Sequence, residues 1–224
     1  MEASPVLLVH GFASSAEHNR RQPGWLDLLA EAGRETVAVD LLGHGSAPRP
    51  TSAADYESVE DRVAAEISGY EQVDAVGFSA GAHLLLRLAA AEPQRFRRLA
   101  LLGIGASVLA GGDAGSIVAA LEGEPDPENI QGMVFRRLAD GLGNDCAALV
   151  AFLRRPQRPL TADDLARISC PALVVLGDKD PAGPGEPLVA ALPDAQLVTL
   201  RGVDHFGTPS DVRCMQAVLR FLDS

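Results

Sequence analysis

The chain of 224 residues is 47% hydrophobic and 22% charged, a composition typical of one globular domain and not of a disordered or fibrous protein. Its formal net charge of −11 repels polyanions, so neither nucleic acid nor an anionic membrane surface is expected as a partner. No run approaches the ~20 apolar residues that a membrane span needs.

Six short runs rich in aliphatic and β-branched residues predict strands, at 6–9, 36–39, 73–78, 99–102, 172–176 and 196–200. They show little alternation of apolar and polar residues, which is typical of strands that are buried on both faces. Segments with helical periodicity lie between them, at 25–32, 58–70, 80–91, 187–191 and 211–222. This alternation predicts an α/β domain with a mainly parallel sheet and right-handed crossovers.

The alternation stops between residues 103 and 170, where no strand-like run appears. Short helices are predicted there instead, at 116–121, 129–138, 145–153 and 163–168. A structureless loop of this length is uncommon in a compact domain, so we interpret 104–170 as a small helical insertion over the sheet. Residues 1–103 and 171–224 then form the core.

Two further features concern redox state and location. The three cysteines, Cys146, Cys170 and Cys214, are odd in number and widely spaced, which favours reduced thiols over a disulfide framework. Neither a Cys-x-x-Cys motif nor a Cys/His cluster is present in the sequence, so no metal site is expected. Residues 1–5 lack the pattern of a secretory signal, and a cytoplasmic location is expected.

The clearest motif is Gly77-Phe78-Ser79-Ala80-Gly81, a G-x-S-x-G sequence between the predicted strand 73–78 and the predicted helix 80–91. In this context the pattern indicates a sharp strand-to-helix turn that exposes a nucleophilic serine. An ordinary glycine-rich turn is the structural alternative. We therefore predict Ser79 as the nucleophile.

A serine nucleophile needs a base, and the base needs an orienting group. His205 follows the sixth predicted strand, at the carboxyl edge where open α/β sheets bind ligands, and is the predicted base. Asp178 and Asp180 both follow the fifth strand, and we favour Asp180 as the orienting acid, since Gly-Asp sequences usually form turns. The other histidines are expected to have buried or capping roles; they are His10, His18, His44 and His83.

Acyl transfer also needs hydrogen-bond donors for the oxyanion that develops on the substrate carbonyl. Two backbone N–H groups are candidates. One belongs to Ala80, directly after the nucleophile, and the other to Phe12, in the turn that leaves the first strand.

Together these motifs resemble the α/β-hydrolase family over nearly the whole chain outside the insertion. The matching segments are 10–12, 40–46, 77–81, 177–180 and 203–206. The resemblance implies triad roles for Ser79, Asp180 and His205, oxyanion roles for Phe12 and Ala80, a cap at 104–170 and the strand order 2-1-3-4-5-6. Family members usually begin with a β-hairpin for which this chain has no residues, so six parallel strands are expected. An uncovered sheet edge leaves a homodimer as an open alternative.

The predicted activity is hydrolysis of carboxylic esters with small to medium apolar acyl groups, through an acyl-enzyme and without metal or organic cofactor. A serine at the nucleophile position argues against dehalogenase and epoxide hydrolase relatives, which use aspartate there. Thioesterase, lactonase, carbon-carbon hydrolase, perhydrolase and a non-catalytic small-molecule binder remain alternatives. The predicted substrate-binding residues are Phe12, Met133, Phe135, Phe152 and Phe206.

Overall fold

Six parallel strands form one sheet in the order β2-β1-β3-β4-β5-β6, which confirms the predicted order. The computed structural model describes residues 4–21, 23–111, 114–123 and 126–224, with the backbone alone for residues 20 and 21. The strands are β1 (Val6–Val9), β2 (Thr36–Val39), β3 (Val73–Phe78), β4 (Phe96–Leu102), β5 (Ala172–Gly177) and β6 (Ala195–Leu200).

Ten α-helices accompany the sheet in the described part of the chain. They are α1 (Trp25–Glu31), α2 (Val59–Glu66), α3 (Ala80–Ala91), α4 (Ser107–Ala110), α5 (Gly115–Glu122), α6 (Ile130–Gly141), α7 (Cys146–Leu153), α8 (Ala162–Ala166), α9 (Glu186–Ala191) and α10 (Val212–Asp223). A π-helical turn covers Glu17–Arg21, and 3-10 turns cover Ala53–Tyr56, Pro93–Arg95 and Thr208–Ser210. None of the described helices has both the length and the apolarity that a membrane crossing requires.

Two apolar cores lie on opposite faces of the sheet, because successive side chains of a strand point to opposite sides. In β1, Val6 and Leu8 face the core formed with α1 and α10, whereas Leu7 and Val9 face the core formed with α2 and α3. All four side chains are fully buried. The sheet is therefore covered on both faces, and the loops at its carboxyl edge are the natural place for a ligand.

Helices α5 to α8, which lie between β4 and β5, divide into two groups. Helix α5 packs against α6 and α7, and α7 packs against the 3-10 turn Ala53–Tyr56. Helix α8 instead packs against α3 and α9 of the layer that covers the sheet. The division into a core and a cap at 104–170 stays a prediction.

Candidate active site

Ser79 lies in the turn between β3 and α3 with φ 51° and ψ −114°. A positive φ is unfavourable for a side-chain-bearing residue, and such strain is concentrated at functional sites. Among the described non-glycine residues, only Ala13 shares this feature. The motif glycines permit close packing: a Cβ at Gly77 would lie 2.7 Å from the Ala82 nitrogen, and one at Gly81 would lie 2.4 Å from the Val9 carbonyl oxygen.

Three side chains from three different loops form a hydrogen-bonded chain at the carboxyl edge of the sheet. His205 Nε2 lies 3.1 Å from Ser79 Oγ, and His205 Nδ1 lies 2.9 Å from Asp180 Oδ2. The Asp180 side chain is fully buried, and the His205 side chain is 15% exposed. The structure thus brings together the residues predicted as nucleophile, base and acid, at distances suited to proton transfer.

The two candidate acids differ in surroundings. The other carboxylate oxygen of Asp180, Oδ1, accepts a hydrogen bond from the Ala182 N–H at 2.9 Å, so both oxygens have defined partners. Asp178 is exposed, and its Oδ1 accepts the Gly202 N–H at 2.7 Å. Asp178 therefore stabilises the turns after β5 and β6, while Asp180 faces the imidazole.

Two aromatic rings hold the imidazole in place. The Phe78 ring centroid lies 4.9 Å from that of His205, and the Phe206 centroid lies 5.4 Å away at an interplanar angle of 86°. Gly103 leaves room for this arrangement, because a Cβ there would lie 2.6 Å from the Phe78 ring and 3.3 Å from His205 Cε1. Packing and hydrogen bonding together restrict the imidazole to one orientation.

The turn that carries Phe12 is fixed by side chains from its own and neighbouring loops. The Gly11 N–H donates to Asn19 Oδ1 at 3.2 Å, and the Leu41 N–H donates to His10 Nε2 at 3.0 Å. On the other side of the site, Ala80 is the first residue of α3, and the first N–H groups of a helix have no intrahelical acceptor. The oxyanion roles of Phe12 and Ala80 remain predictions that this arrangement supports.

Asp40 links the segment after β1 to the loop after β2. Its Oδ1 accepts the Ala16 N–H at 2.7 Å, and its Oδ2 accepts the Ser46 N–H at 2.8 Å and the Ser46 hydroxyl at 2.7 Å. Burial opposes ionisation of this carboxyl, but these hydrogen bonds outweigh it and lower the pKa of Asp40. The carboxylate is therefore ionised and fastens the two loops at neutral pH.

His44 is fully buried in the same loop. Its Nδ1 lies 3.0 Å from the Leu42 carbonyl oxygen, and its ring packs edge-on against Phe12 and Phe152, with centroid distances of 5.5 Å and 4.9 Å. Burial, with the nearby His10, lowers the pKa of His44 to about 3. The side chain is therefore neutral in the folded protein throughout the physiological range.

Neutral His44 is expected to make stability fall with acidification. The unfolded chain protonates this histidine below about pH 6.5, whereas the folded chain does so only near pH 3, so the unfolded state binds the extra proton between these values. From pH 7.5 to 5.0 this contributes a loss of about 2 kcal/mol to the free energy of unfolding. Urea unfolding at both pH values should show a smaller loss in His44→Gln, and an equal loss in both proteins would contradict the assignment.

A cavity of about 310 Å³ adjoins Ser79 and His205. Three of the predicted substrate-binding residues line it: Phe12, Phe135 and Phe206. Met133 and Phe152 do not. Phe152 is 1% exposed and packs under the wall against Tyr56 and His44, so it supports Phe12 instead of contacting a ligand.

Much of the cavity wall consists of residues that no sequence motif indicates as substrate-binding. The additional lining residues are Ser14, His18, Asn19, Pro23, Phe78, Leu138, Pro209 and Ser210. The expected buried or capping role is wrong for His18, which is half-buried in this wall. The π-helical turn Glu17–Arg21 places His18 and Asn19 in the cavity wall. A turn of this kind has no periodic sequence pattern from which it could be predicted. Among the described residues, no group of three or more His, Cys, Asp or Glu is arranged to hold a metal ion.

The chain belongs to the alpha/beta hydrolase family, whose model matches residues 6–216. Over 96% of the chain it is 30% identical to a pimeloyl-[acyl-carrier protein] methyl ester esterase of Neisseria meningitidis serogroup C, covering 91% of that protein. A 2-hydroxymuconate semialdehyde hydrolase of Pseudomonas putida is 34% identical over 46% of the chain and 37% of its own length.

The fold is also that of solved structures with distant sequences. The enol-lactonase from Burkholderia xenovorans LB400 superposes over 100% of this chain and 93% of its own, with a TM-score of 0.75 and 19% identity. The protein is thus an α/β hydrolase with esterase relatives.

Proposed function

We propose that the protein is a serine hydrolase that cleaves carboxylic esters with small to medium apolar acyl groups through an acyl-enzyme. The observation that carries this proposal is the position of the His205 ring, 3.1 Å from Ser79 Oγ on one side and 2.9 Å from Asp180 Oδ2 on the other. A pure binding protein has no need of all three groups in this order.

The proposed reaction begins when Ser79 Oγ attacks the ester carbonyl carbon and its proton passes to His205 Nε2. The carbonyl oxygen becomes an oxyanion, which the N–H groups of Phe12 and Ala80 stabilise. The tetrahedral intermediate then expels the alcohol, which takes the proton from His205. Water then attacks the carbonyl carbon of the acyl-enzyme, with His205 again as the base, and the carboxylic acid is released as Ser79 recovers its proton.

Asp180 orients the imidazole during both halves of this reaction. Its Oδ2 accepts a hydrogen bond from the Nδ1–H group of His205, which leaves Nε2 free to take the serine proton. The same carboxylate stabilises the imidazolium that forms in each tetrahedral step. The buried position of Asp180 strengthens this interaction, because water screens it less.

The cavity wall supports the substrate class. A volume of about 310 Å³ is at the small end for ligand sites, and four phenylalanines contribute to the wall. The described residues of the wall include no lysine, arginine or carboxylate. An uncharged acyl group of modest length fits this environment better than a charged one, because burial of an unpaired charge is costly.

The family supports neighbouring chemistries as well. The relatives compared above act, by their names, on a methyl ester, a semialdehyde and an enol-lactone. The same three side chains can attack thioesters and lactones. Ester hydrolysis is preferred because the methyl ester esterase combines 30% sequence identity with coverage of 96% of this chain, whereas the semialdehyde hydrolase matches 46% of the chain and the enol-lactonase is 19% identical.

Covalent labelling tests the proposal directly. A fluorophosphonate should add once, at Ser79, and a p-nitrophenyl ester should give a burst of p-nitrophenol as the acyl-enzyme accumulates. Intact and peptide mass spectrometry locate the adduct, with heat-denatured protein as control. Absence of both burst and adduct would favour a non-catalytic binder.

A substrate panel then refines the class. Among p-nitrophenyl esters from acetate to palmitate, kcat/KM is expected to peak at short to medium chains, because a longer chain must extend out of the cavity into water. A lactone and an acyl-thioester belong in the same panel. A thioester or lactone that outperforms every ester would replace the proposed substrate class while keeping the mechanism.

A further inference from the structure

Asn144 joins the helical region between β4 and β5 to two loops of the active site. It lies between α6 and α7 and is 8% exposed. Its Nδ2 donates to the Ala13 carbonyl oxygen at 3.0 Å, and its Oδ1 accepts the Gly45 N–H at 3.1 Å. One buried side chain, 131 residues from Ala13 in sequence, thus satisfies a polar group in each of two loops.

The bond to Ala13 is placed where the backbone needs support. Ala13 has φ 57°, in the left-handed region that a side-chain-bearing residue avoids. Such a conformation persists only where the surroundings over-determine it. Without the bond from Asn144, the residue would relax toward negative φ, and the adjoining peptide that follows Phe12 would rotate.

Phe12 is held on its other side by a second asparagine. The Gly11 N–H donates to Asn19 Oδ1, so a buried amide side chain holds the residue before Phe12 as well as the residue after it. The bond from Asn144 to Gly45 also fixes the loop whose His44 ring packs against Phe12. Arg49 reinforces the same junction by donating to the carbonyl oxygens of Gly143 and Gly45.

We infer that Asn144 is a positioning residue, which orients the Phe12 N–H toward the oxyanion and makes the oxyanion site depend on docking of the helical region. This inference rests on the proposed serine hydrolase function and adds a residue that does not touch the substrate. A donor that is displaced from the oxyanion loses its effect in the transition state, where the charge develops, and much less in the bound ester.

Two variants separate the bonds of Asn144. Asn144→Asp keeps an acceptor for Gly45 but presents no donor to Ala13, and Asn144→Ala removes both bonds. Each variant should lower kcat for p-nitrophenyl butyrate by about 10- to 100-fold and change KM by less than about threefold. The expected loss in kcat is smaller than the roughly 10²- to 10³-fold loss that follows complete removal of an oxyanion donor, because the displaced donor keeps part of its effect. If the buried charge prevents Asn144→Asp from folding, the kcat and KM of Asn144→Ala still test the inference.

Affinity for an alkyl trifluoromethyl ketone provides a readout that a merely structural role would not move. This inhibitor forms a tetrahedral adduct on Ser79 whose oxygen occupies the oxyanion site, so its affinity should fall in parallel with kcat/KM. Asn129→Asp is the matched control. Asn129 directly precedes α6, donates to the Ser116 carbonyl and accepts the Gly132 N–H, and both of these partners lie in the helical region. It should lose stability but keep kcat and inhibitor affinity.

The outcomes are distinguishable. If the wild-type protein hydrolyses the ester and both folded Asn144 variants keep the wild-type kcat, this inference alone is overturned. A rise in KM with constant kcat would also overturn it, since that indicates a role in substrate binding. Absence of turnover and of a Ser79 adduct in the wild-type protein would overturn the proposed function and this inference together.

Discussion

Ser79→Ala is expected to lower kcat for ester hydrolysis by roughly 10⁵-fold or more, since no other group can form the acyl-enzyme. The residual rate would come from binding and the oxyanion donors alone. His205, 3.1 Å from Ser79 Oγ, would have no hydroxyl to activate. Turnover of p-nitrophenyl butyrate and the pre-steady-state burst measure the loss, and the burst should disappear.

Ser58→Ala provides a matched control for this result. Ser58 directly precedes α2 as Ser79 directly precedes α3, and neither side chain caps its helix with a hydrogen bond. Ser58 is exposed and lies in another loop, so its substitution should leave both turnover and the burst intact. Wild-type activity in Ser79→Ala would end the serine hydrolase proposal.

The sheet was predictable because its signals are local. Buried parallel strands consist of aliphatic residues, and right-handed crossovers then restrict their order. Strands β1, β2 and β3 have the predicted ends, whereas β4 begins at Phe96, three residues before the predicted 99, because the 3-10 turn Pro93–Arg95 leads directly into it. Helix α2 ends at Glu66 and not at 70, since Ile67 closes it with a tighter backbone turn.

The residues of the candidate active site were predictable for a related reason. Each follows a strand, and parallel strands place their carboxyl ends at one edge. The cavity wall was harder, because it depends on how helices are rotated about their axes. Helix α7 is apolar all round, so its sequence does not indicate which way Phe152 points. In α6, Phe135 and Leu138 are three residues apart and share the face that lines the cavity, whereas Met133 does not.

Contacts between distant polar residues leave no pattern in the sequence. Asp74 is fully buried in β3 and bonds to Arg34 and Arg97. Asn144 reaches Ala13 across 131 residues in the same way. Asparagine and aspartate are ordinarily turn residues, so only the assembled fold reveals these roles.

Asp180→Asn is expected to lower kcat by about 10⁴-fold, because it reverses the hydrogen bond to His205. The Ala182 N–H requires an acceptor at Oδ1, which the amide oxygen supplies, so the NH₂ group must point toward His205 Nδ1. Nδ1 then becomes an acceptor, and Nε2 carries the proton. An imidazole in this tautomer cannot take the proton of Ser79, although every heavy atom keeps its place.

Asp178→Asn tests whether the effect comes from the tautomer or from charge. Asp178→Asn and Asp180→Asn each remove one negative charge, at positions two residues apart. Asp178 is exposed, however, and an asparagine there still offers an oxygen to the Gly202 N–H. Because water and salt screen an exposed charge, kcat should stay within about twofold of the wild-type value. Steady-state kinetics of the two variants measured side by side give the two losses in kcat. Equal losses would attribute the effect to charge alone. A larger loss in Asp178→Asn would make Asp178 the acid that orients the imidazole.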